Sequence, residues 1–488
     1  MYEVYPIKKR YITLLTVIIL AFGTGIPVVK ASVDQRSYNY SYWADAVPAP
    51  PAYQAVRIID GERLGIEPLS EPNDFHVSPN RYIYVADTGN NRIIILDETF
   101  DVVDVIETFF IEGSKETFSS PQGIFVNDEQ HVFIADTGNN RVVHLDANFD
   151  LIKIVEQPES ELLSDQFTFR PLKVAVDYAG RLFVMADGVF DGFMEFSVDG
   201  YFTTFIGANR VRVDPIEYLW KRFATREQRS QMVNYVPTEF TNLDVNEQGF
   251  LYATNVDNSD DVIKKINARG DDILRREGYF SPIGDVRYTQ TDGSSRLIDI
   301  SVADYEIYSV LDSRRGRIFT YNGDGHLMYV FGGIGNRLGE FHTPIAIERY
   351  DDYFLVLDRE LGEITIFTAT LYGQTLNEAV RSYEQGDEEL AHQLFEEVVN
   401  MNVNLEFAYT GIGKSLLQQD QYEQAMHNFE QSLDQNNYSK AYLLYRNRLL
   451  RDHFNVIMST ILGTVSVITI IVVYRKIAKR KRRVLVEQ

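Results

Sequence analysis

A repeated segment constrains the fold of this chain more than any other feature. The sequence "YIYVADTGNNRIIILD" (residues 82–97) returns as "VFIADTGNNRVVHLD" (132–146), with Asp87 and Asp136 separated by 49 residues. Four looser copies lie within 182–188, 250–266, 306–321 and 353–367. A short strand-like stretch, such as "DFHVSP", "GIFVND", "KVAVDY" or "NLDVNE", precedes each copy. The chain therefore contains six related units, and internal repeats of this length predict a repeat architecture.

Each unit alternates apolar and polar residues and breaks at Gly, Asn and Asp, which is typical of consecutive antiparallel strands. One small sheet cannot bury both of its faces, so we expect six sheets arranged radially as a closed propeller. The stretch before the first unit, residues 55–66, is also strand-like. We predict that it supplies the last strand of the sixth blade and closes the ring.

The "ADTGNNR" pair resembles the core of NHL repeats, which form the blades of six-bladed β-propellers, and the resemblance covers about residues 55–370. We expect the repeated polar residues to hold turns and neighbouring blades, with ligand contact as the alternative. Asp ends a strand, Gly permits the turn, Asn tolerates a left-handed backbone, and Arg can pair with Asp. These residues are Asp87, Gly89, Asn90, Asn91, Arg92, Asp136, Gly138, Asn139, Asn140 and Arg141.

The two ends of the chain predict export and membrane anchoring. Residues 8–10 are Lys-Lys-Arg, an apolar run follows from 11 to 29, and Val29-Lys30-Ala31 precedes a plausible cleavage point, which together indicate a signal peptide. An uncleaved anchor is the alternative. Residues 454–474 carry no formal charge and can span about 31 Å as a helix. Seven basic residues between 475 and 483 predict that the tail is cytoplasmic and the bulk of the chain extracytoplasmic.

Composition excludes several chemistries. The net charge of −23 comprises +3 in residues 1–31, +6 in residues 475–488 and −32 in between, which argues against a nucleic-acid partner. The chain contains no cysteine, so disulfides, thiol catalysis and Cys-type metal sites are excluded.

The spacing of apolar residues changes after residue 371 to a helical period. Ala391 and Phe395 recur 34 residues later as Ala425 and Phe429, a pattern that resembles tetratricopeptide repeats. Such helices form either a peptide-docking groove or a rigid spacer between propeller and membrane.

The predicted organisation is mainly β plus α. It consists of a signal peptide (1–31), an N-terminal extracellular segment (32–54), a six-bladed propeller (55–370), tetratricopeptide-like helical repeats (371–453), one transmembrane helix (454–474) and a basic cytoplasmic tail (475–488).

Residues 215–237 separate the third and fourth copies and have Pro at each end of a helix-forming stretch. This insertion is basic and aromatic on an acidic domain, with Trp220, Arg222 and Arg226 as candidates for docking a partner. A brace packed against the propeller is the alternative.

Propeller ligands usually bind where the loops leading into each blade converge, so these loops supply a candidate ligand-binding ring. Its members are polar and suit hydroxyl-rich or peptide ligands: Asn73, Asp74, Gln122, Lys173, Asn242 and His342. The alternative is that these residues form hydrogen bonds with buried backbone groups and with waters in the channel.

The leading hypothesis is a membrane-anchored binding or scaffold protein for a carbohydrate, peptide or protein, without catalysis and without a required cofactor. The first rival is a gluconolactonase-like hydrolase that uses a divalent cation such as calcium. The residue types that hold such a cation are present at Glu71, Asn73, Asp74, Asn242 and Asp299. In that family a Glu stands before a Gly/Ser-Pro pair, and "SEPNDF" does not reproduce this placement. An accessory subunit of a membrane transporter is the other rival.

Overall fold

The computed structural model describes residues 37–163, 166–208, 239–256 and 261–484. The predicted signal peptide and the predicted insertion at 215–237, with Trp220, Arg222 and Arg226, lie outside these residues. The described residues begin with a hairpin of β1 (Tyr38–Tyr40) and β2 (Ala46–Pro48), followed by β3 (Tyr53–Asp60) and the one-turn helix α1 (Gly61–Leu64).

Across the described residues, six antiparallel sheets of three or four strands confirm the predicted propeller. The first blade consists of β4 (Asp74–Val77), β5 (Ile83–Asp87), β6 (Arg92–Leu96) and β7 (Val102–Ile106). The hairpin of β8 (Thr108–Ile111) and β9 (Ser114–Thr117) leads to the second blade, made of β10 (Pro121–Val126), β11 (Val132–Asp136), β12 (Arg141–Leu145) and β13 (Leu151–Val155). The third blade consists of β14 (Pro171–Val176), β15 (Leu182–Ala186), β16 (Phe193–Phe196) and β17 (Phe202–Ile206).

The remaining blades follow in the same order along the chain. The fourth has β18 (Phe240–Val245), β19 (Leu251–Asn255) and β20 (Ile263–Ile266) among the described residues. The fifth has β21 (Leu297–Val302), β22 (Tyr308–Asp312), β23 (Arg317–Tyr321) and β24 (Leu327–Gly332). The sixth has β25 (Pro344–Tyr350), β26 (Tyr353–Asp358) and β27 (Glu363–Ala369), completed by β3 from the start of the propeller.

The repeated "ADTGNNR" segments form the tight connection between the second and third strands of the first two blades. Asp87 accepts hydrogen bonds from the backbone N–H of Ser70 at 2.7 Å and from Arg92 Nε at 2.7 Å. Asn91 has a φ of 55° and ends the turn in the left-handed region that Asn tolerates. A Cβ on Gly89 would lie 2.7 Å from the Ser70 carbonyl oxygen, so only glycine fits there.

The second copy repeats the same contacts. Asp136 accepts from the Ser119 N–H at 2.7 Å and from Arg141 Nε at 2.8 Å, and Asn140 has a φ of 55°. Asn90 and Asn139 each donate to the Asp of their own repeat at 2.9 Å. These contacts all join parts of the propeller to one another.

The ring closes where the first strand of the propeller meets the last. β3 pairs antiparallel with β27 from Asp60↔Glu363 to Tyr53↔Ala369, which confirms the predicted closing strand. The strand runs over Tyr53–Asp60 rather than over residues 55–66, because Gly61–Leu64 form α1, capped by the Asp60 side chain. Thr370 directly follows β27, and its N–H donates to the Ala52 carbonyl at 2.9 Å. The end of the ring is therefore the start of the helical region.

Five helices form the region after the ring: α2 (Leu371–Gln385), α3 (Glu388–Met401), α4 (Glu406–Gln418), α5 (Tyr422–Gln431) and α6 (Gln435–Asp452). Side chains cap three of their N-termini, because Thr370, Asp387 and Asp434 accept backbone N–H groups of the first turn. Gly386 ends α2 with a φ of 82°. Local capping residues thus set the helix boundaries.

The helices and the last two blades share one hydrophobic core. Phe331, Phe354 and Phe367 of the blades lie in the same cluster as Leu376 and Phe395 of the helices. The helical region therefore packs directly against the propeller.

Polar contacts cross the same boundary. Lys414 Nζ lies 2.6 Å from Asp324 Oδ2, and the rings of Phe407 and His326 stack with centroids 5.0 Å apart. These contacts join α4 to the turn between β23 and β24 of the fifth blade.

The chain ends in α7 (Phe454–Val484). Within it, Phe454–Lys479 is the one helical stretch among the described residues that is long and apolar enough to cross a membrane. None of its most apolar part is buried against the rest of the protein.

Asn377 provides a test of the shared core. Its side chain accepts a hydrogen bond from Tyr329 Oη at 2.9 Å and donates to Tyr53 Oη at 3.0 Å, so it links α2 to the blades. Asn377→Ala leaves two buried hydroxyl groups without this partner, and we expect the free energy of unfolding to fall by about 2–4 kcal/mol. Denaturant unfolding of the detergent-solubilised chain measures this change. Asn447→Ala, on an exposed turn of α6, is the control. Equal losses in the two variants would contradict the proposed link.

Candidate functional site

The innermost strands β4, β10, β14, β18, β21 and β25 surround the central channel of the propeller. All six run in the same direction along it, since each begins a blade. We call the end at which these strands begin the upstream mouth and the end at which they finish the downstream mouth. The predicted ligand-binding ring belongs to the upstream end.

The ring residues nearest the upstream mouth contact one another and the neighbouring turns. Asn73 donates to the Gln122 carbonyl oxygen at 2.6 Å and accepts a hydrogen bond from Arg359. His342 Nε2 lies 2.7 Å from Asn336 Oδ1. The structure thus brings Asn73 and Gln122 together and leaves His342 on the rim.

The other ring residues lie deeper, on the strands themselves. Lys173 Nζ forms an ion pair with Asp74 Oδ1 at 2.5 Å, and both side chains are buried. Asn242 is also buried and accepts the N–H of Leu243 at 2.7 Å. A ligand at the upstream mouth meets these groups only after breaking contacts already made.

Three aspartates bridge neighbouring innermost strands across the channel wall. Asp74 accepts the Ile124 N–H at 3.0 Å, Asp244 the Val302 N–H at 2.8 Å, and Asp299 the Ile347 N–H at 2.5 Å. Each bond runs between strands that are not paired in any sheet. These buried carboxylates therefore hold blades together.

A histidine joins three blades near the downstream end. His76 Nδ1 lies 3.0 Å from Glu348 Oε1, and its Nε2 lies 3.3 Å from the Val126 carbonyl oxygen. Both neighbours are acceptors, so the doubly protonated imidazolium satisfies both. Burial lowers the pKa of His76, but the hydrogen bond and charge of Glu348 outweigh it, and the net pKa is raised.

Two carboxylic acids of the channel wall have raised pKa values. Burial, followed by the negative charge of Glu348, raises the pKa of Asp244 to about 7. Burial also raises the pKa of Asp299 well above its usual range, against the opposing charge of Lys173. The channel is therefore a place where protonation changes near neutral pH.

An open cavity of about 600 Å³ occupies the downstream mouth. Its floor contains His76, Asp244 and Glu348, and its rim consists of the turns between the first and second strands of several blades. The rim carries the exposed acidic residues Asp128, Glu129 and Glu247.

One aromatic residue stands on this rim. Tyr178 is 66% exposed, and burial together with the negative charges of Asp128 and Glu247 raises the pKa of its hydroxyl. The cavity thus combines carboxylates with an accessible aromatic ring.

The sequence prediction did not include these rim residues, although a signal was present. The stretches "GIFVND", "KVAVDY" and "NLDVNE" end at equivalent positions of three units, and their last residues, with the one that follows, supply Asp128, Glu129, Tyr178 and Glu247. Aligning the units at their first turn places these residues around one mouth.

The residues named for the metal-dependent alternative occupy different surroundings. Glu71 is exposed on a loop, while Asp74 and Asp299 bridge strands. Within the part of the chain that the structure describes, no three His, Asp or Glu side chains form a group suited to a metal ion.

The channel groups predict a pH dependence of stability. Folding raises the pKa of Asp244 from about 3.9 towards 7, so the folded state binds more protons in this interval and stability falls as pH rises. The raised pKa of His76 acts in the same direction, because its stabilisation is complete below about 6.5 and is lost above. We expect the melting temperature to fall between pH 5 and pH 8.

Asp244→Asn removes one of these titrations, so its melting temperature should depend less on pH than that of the native chain. Asp128→Asn, at the exposed rim, is the control and should keep the native slope. Thermal unfolding at four pH values makes the comparison, and identical slopes for all three proteins would refute the assignment.

Comparison with known proteins supports the fold of one repeat directly. Residues 118–145, which contain β10, β11 and β12, match the family model for the NHL repeat. No curated protein matches the chain.

Several solved structures are similar to this chain. Virginiamycin B lyase from Staphylococcus aureus is 9% identical, with a TM-score of 0.39 over 65% of this chain and 100% of the other. A protein of unknown function from Bacteroides thetaiotaomicron is 10% identical, with a TM-score of 0.42 over 68% and 76%. The extracellular domain of a one-component system from the same organism is 11% identical, with a TM-score of 0.34 over 60% and 32%. Similarity this low carries no argument about activity or ligand. What the strand pairing and the family model establish is that the chain carries an NHL repeat in the second blade of a six-bladed β-propeller.

Proposed function

We propose that this chain is a membrane-anchored binding protein whose propeller takes a positively charged group of a peptide or protein ligand into the downstream cavity. The observation that carries the proposal is the cavity itself, whose rim carries the exposed carboxylates of Asp128, Glu129 and Glu247. The chain binds through this site and performs no catalysis of its own.

The dimensions and charge of the cavity support this assignment. Its volume of about 600 Å³ falls in the range of small-molecule and side-chain binding sites. Acidic residues that line a concave surface focus a negative potential and raise the local concentration of cations. Tyr178 adds a ring face over which an ammonium or guanidinium group can sit.

The different positions of the carboxylates support binding rather than hydrolysis. Asp74 and Asp299 use their oxygens to bridge strands, whereas Asp128 and Glu247 are exposed at the rim. The exposed carboxylates at the rim are thus fixed charges that suit attraction of a cation.

The proposed orientation rests on the charges near the end of α7. Seven basic residues after the apolar stretch favour a cytoplasmic tail, which places the propeller and its cavity outside the cytoplasm.

Binding of basic peptides tests the proposal. The probes are peptides of equal length that carry three Lys, three Glu or no charged residue, measured by calorimetry with the detergent-solubilised chain. We expect the Lys peptide alone to bind. The double variant Asp128→Asn/Glu247→Gln should weaken binding at least tenfold, because each exposed carboxylate contributes to the attraction.

Two controls locate the site. Glu62→Gln/Glu430→Gln removes two exposed carboxylates elsewhere and should leave the affinity unchanged. His342→Ala changes the rim of the upstream mouth and should also have no effect. Loss of binding in His342→Ala, with retention in the Asp128/Glu247 variant, would place the site at the upstream mouth and refute the proposal.

A further inference from the structure

The helix that connects the helical region to the candidate membrane span has an unusual surface. α6 packs against α5 through its first half, where Ala441 is fully buried, and every residue from Arg446 to the end of the helix is exposed. The helical hydrogen bonds continue through the junction, since His453 N–H donates to Leu449 and Ile457 N–H donates to His453, each at 3.0 Å. The last two turns of α6 therefore project from the protein directly into α7.

The charge of these turns is opposite to that of the body. Lys440, Arg446, Arg448 and Arg451 face a single acidic residue, Asp452, within residues 440–453. The portion of the chain between residues 32 and 474 is otherwise strongly acidic. A basic segment at this position is thus a local feature of α6.

Apolar residues accompany the basic ones. Leu449 and Leu450 are 40% and 50% exposed, and Tyr442 and Leu443 are 49% and 46% exposed. Aromatic, aliphatic and basic side chains are the combination that favours the interface between lipid headgroups and acyl chains.

We propose that the last two turns of α6, from Arg446 to Asp452, bind the headgroups of anionic lipids in the leaflet on the propeller's side. Arg446 precedes Phe454 by eight residues, or about 12 Å along a helix. Arg451 is closer still, so these side chains lie within or near the Debye length of about 8–10 Å from a charged membrane surface. Each basic residue close to such a surface contributes to binding.

Charge selects this occupant over a second copy of the chain. A symmetric pair formed through this face would bring two basic segments together, and like charges repel. Anionic headgroups complement the segment, and the candidate span that follows it holds the segment at the headgroup layer.

The binding has a structural consequence. The helices and the last two blades share one core, so a contact at α6 constrains the propeller as well. Anionic lipid would then fix the direction in which the downstream cavity faces.

A single label tests the proposal, because the chain contains no cysteine and Leu450→Cys provides a unique attachment site for an environment-sensitive fluorophore. The labelled full-length chain is placed in nanodiscs of phosphatidylcholine alone, or of phosphatidylcholine with 30% phosphatidylglycerol. Quenching by acrylamide, a neutral quencher, reports exposure of the label. We expect at least twofold less quenching in the discs that contain phosphatidylglycerol, and loss of this difference in 0.5 M NaCl.

Matched variants complete the test. Arg446→Gln/Arg451→Gln should abolish the lipid-dependent difference while keeping Arg448, which donates to the Asp420 carbonyl and helps to hold α6 in place. Arg446→Lys/Arg451→Lys should retain most of it. Arg269→Gln/Arg337→Gln, on exposed parts of the propeller, should retain all of it.

Equal quenching in the two lipid compositions would overturn the proposal, as would persistence of the difference in the Arg446/Arg451 Gln variant. A change that follows the number of chains per disc, rather than the lipid, would show that a second copy covers this face and would also overturn it.

Discussion

The pairing of β3 with β27 is the constraint on which the rest of the structure depends. Six blades form a ring only if the last is held to the first, and in this chain one strand from the start of the propeller completes the last sheet. No disulfide assists, because the sequence contains no cysteine. Hydrogen bonds between two strands and the apolar core beneath them carry the closure. The same pairing brings Ala52 to Thr370, so ring closure also sets where the helical region begins.

Hydrogen bonds across the channel wall provide a second form of closure. Asp74, Asp244 and Asp299 connect innermost strands that share no sheet, and Lys173 of the third blade reaches Asp74 of the first. A buried polar group without a partner is costly, so these contacts favour the observed arrangement of the blades. The exposed acidic residues at the downstream rim do not have this role in joining blades. Carboxylates deep in the channel thus stabilise the fold, whereas carboxylates at its rim serve the proposed binding.

Sequence analysis predicted the elements whose information is local. The two "ADTGNNR" copies fix turns within five residues, so the blades and their order could be derived from spacing alone. The candidate ligand-binding ring shows what a local sequence pattern does not predict. Asp74 and Lys173 lie 99 residues apart, and nothing local indicates that they form an ion pair. Lys414 and Asp324, 90 residues apart, pose the same problem for the packing of the helices on the propeller. Contacts across the ring depend on the closed shape of the propeller. A periodic sequence pattern does not specify which distant residues that shape brings together.

The position of β3 in the sequence has a consequence for biosynthesis. Its partner β27 lies about 300 residues further along the chain, and at 5–20 residues per second that distance corresponds to roughly 15–60 s of synthesis. During this interval the edge of β3 has no native partner, and unpaired strand edges invite association between chains. Val56 and other residues of β3 point outward even in the closed ring. The strand that secures the finished propeller is therefore exposed to association with other chains while the chain is being made.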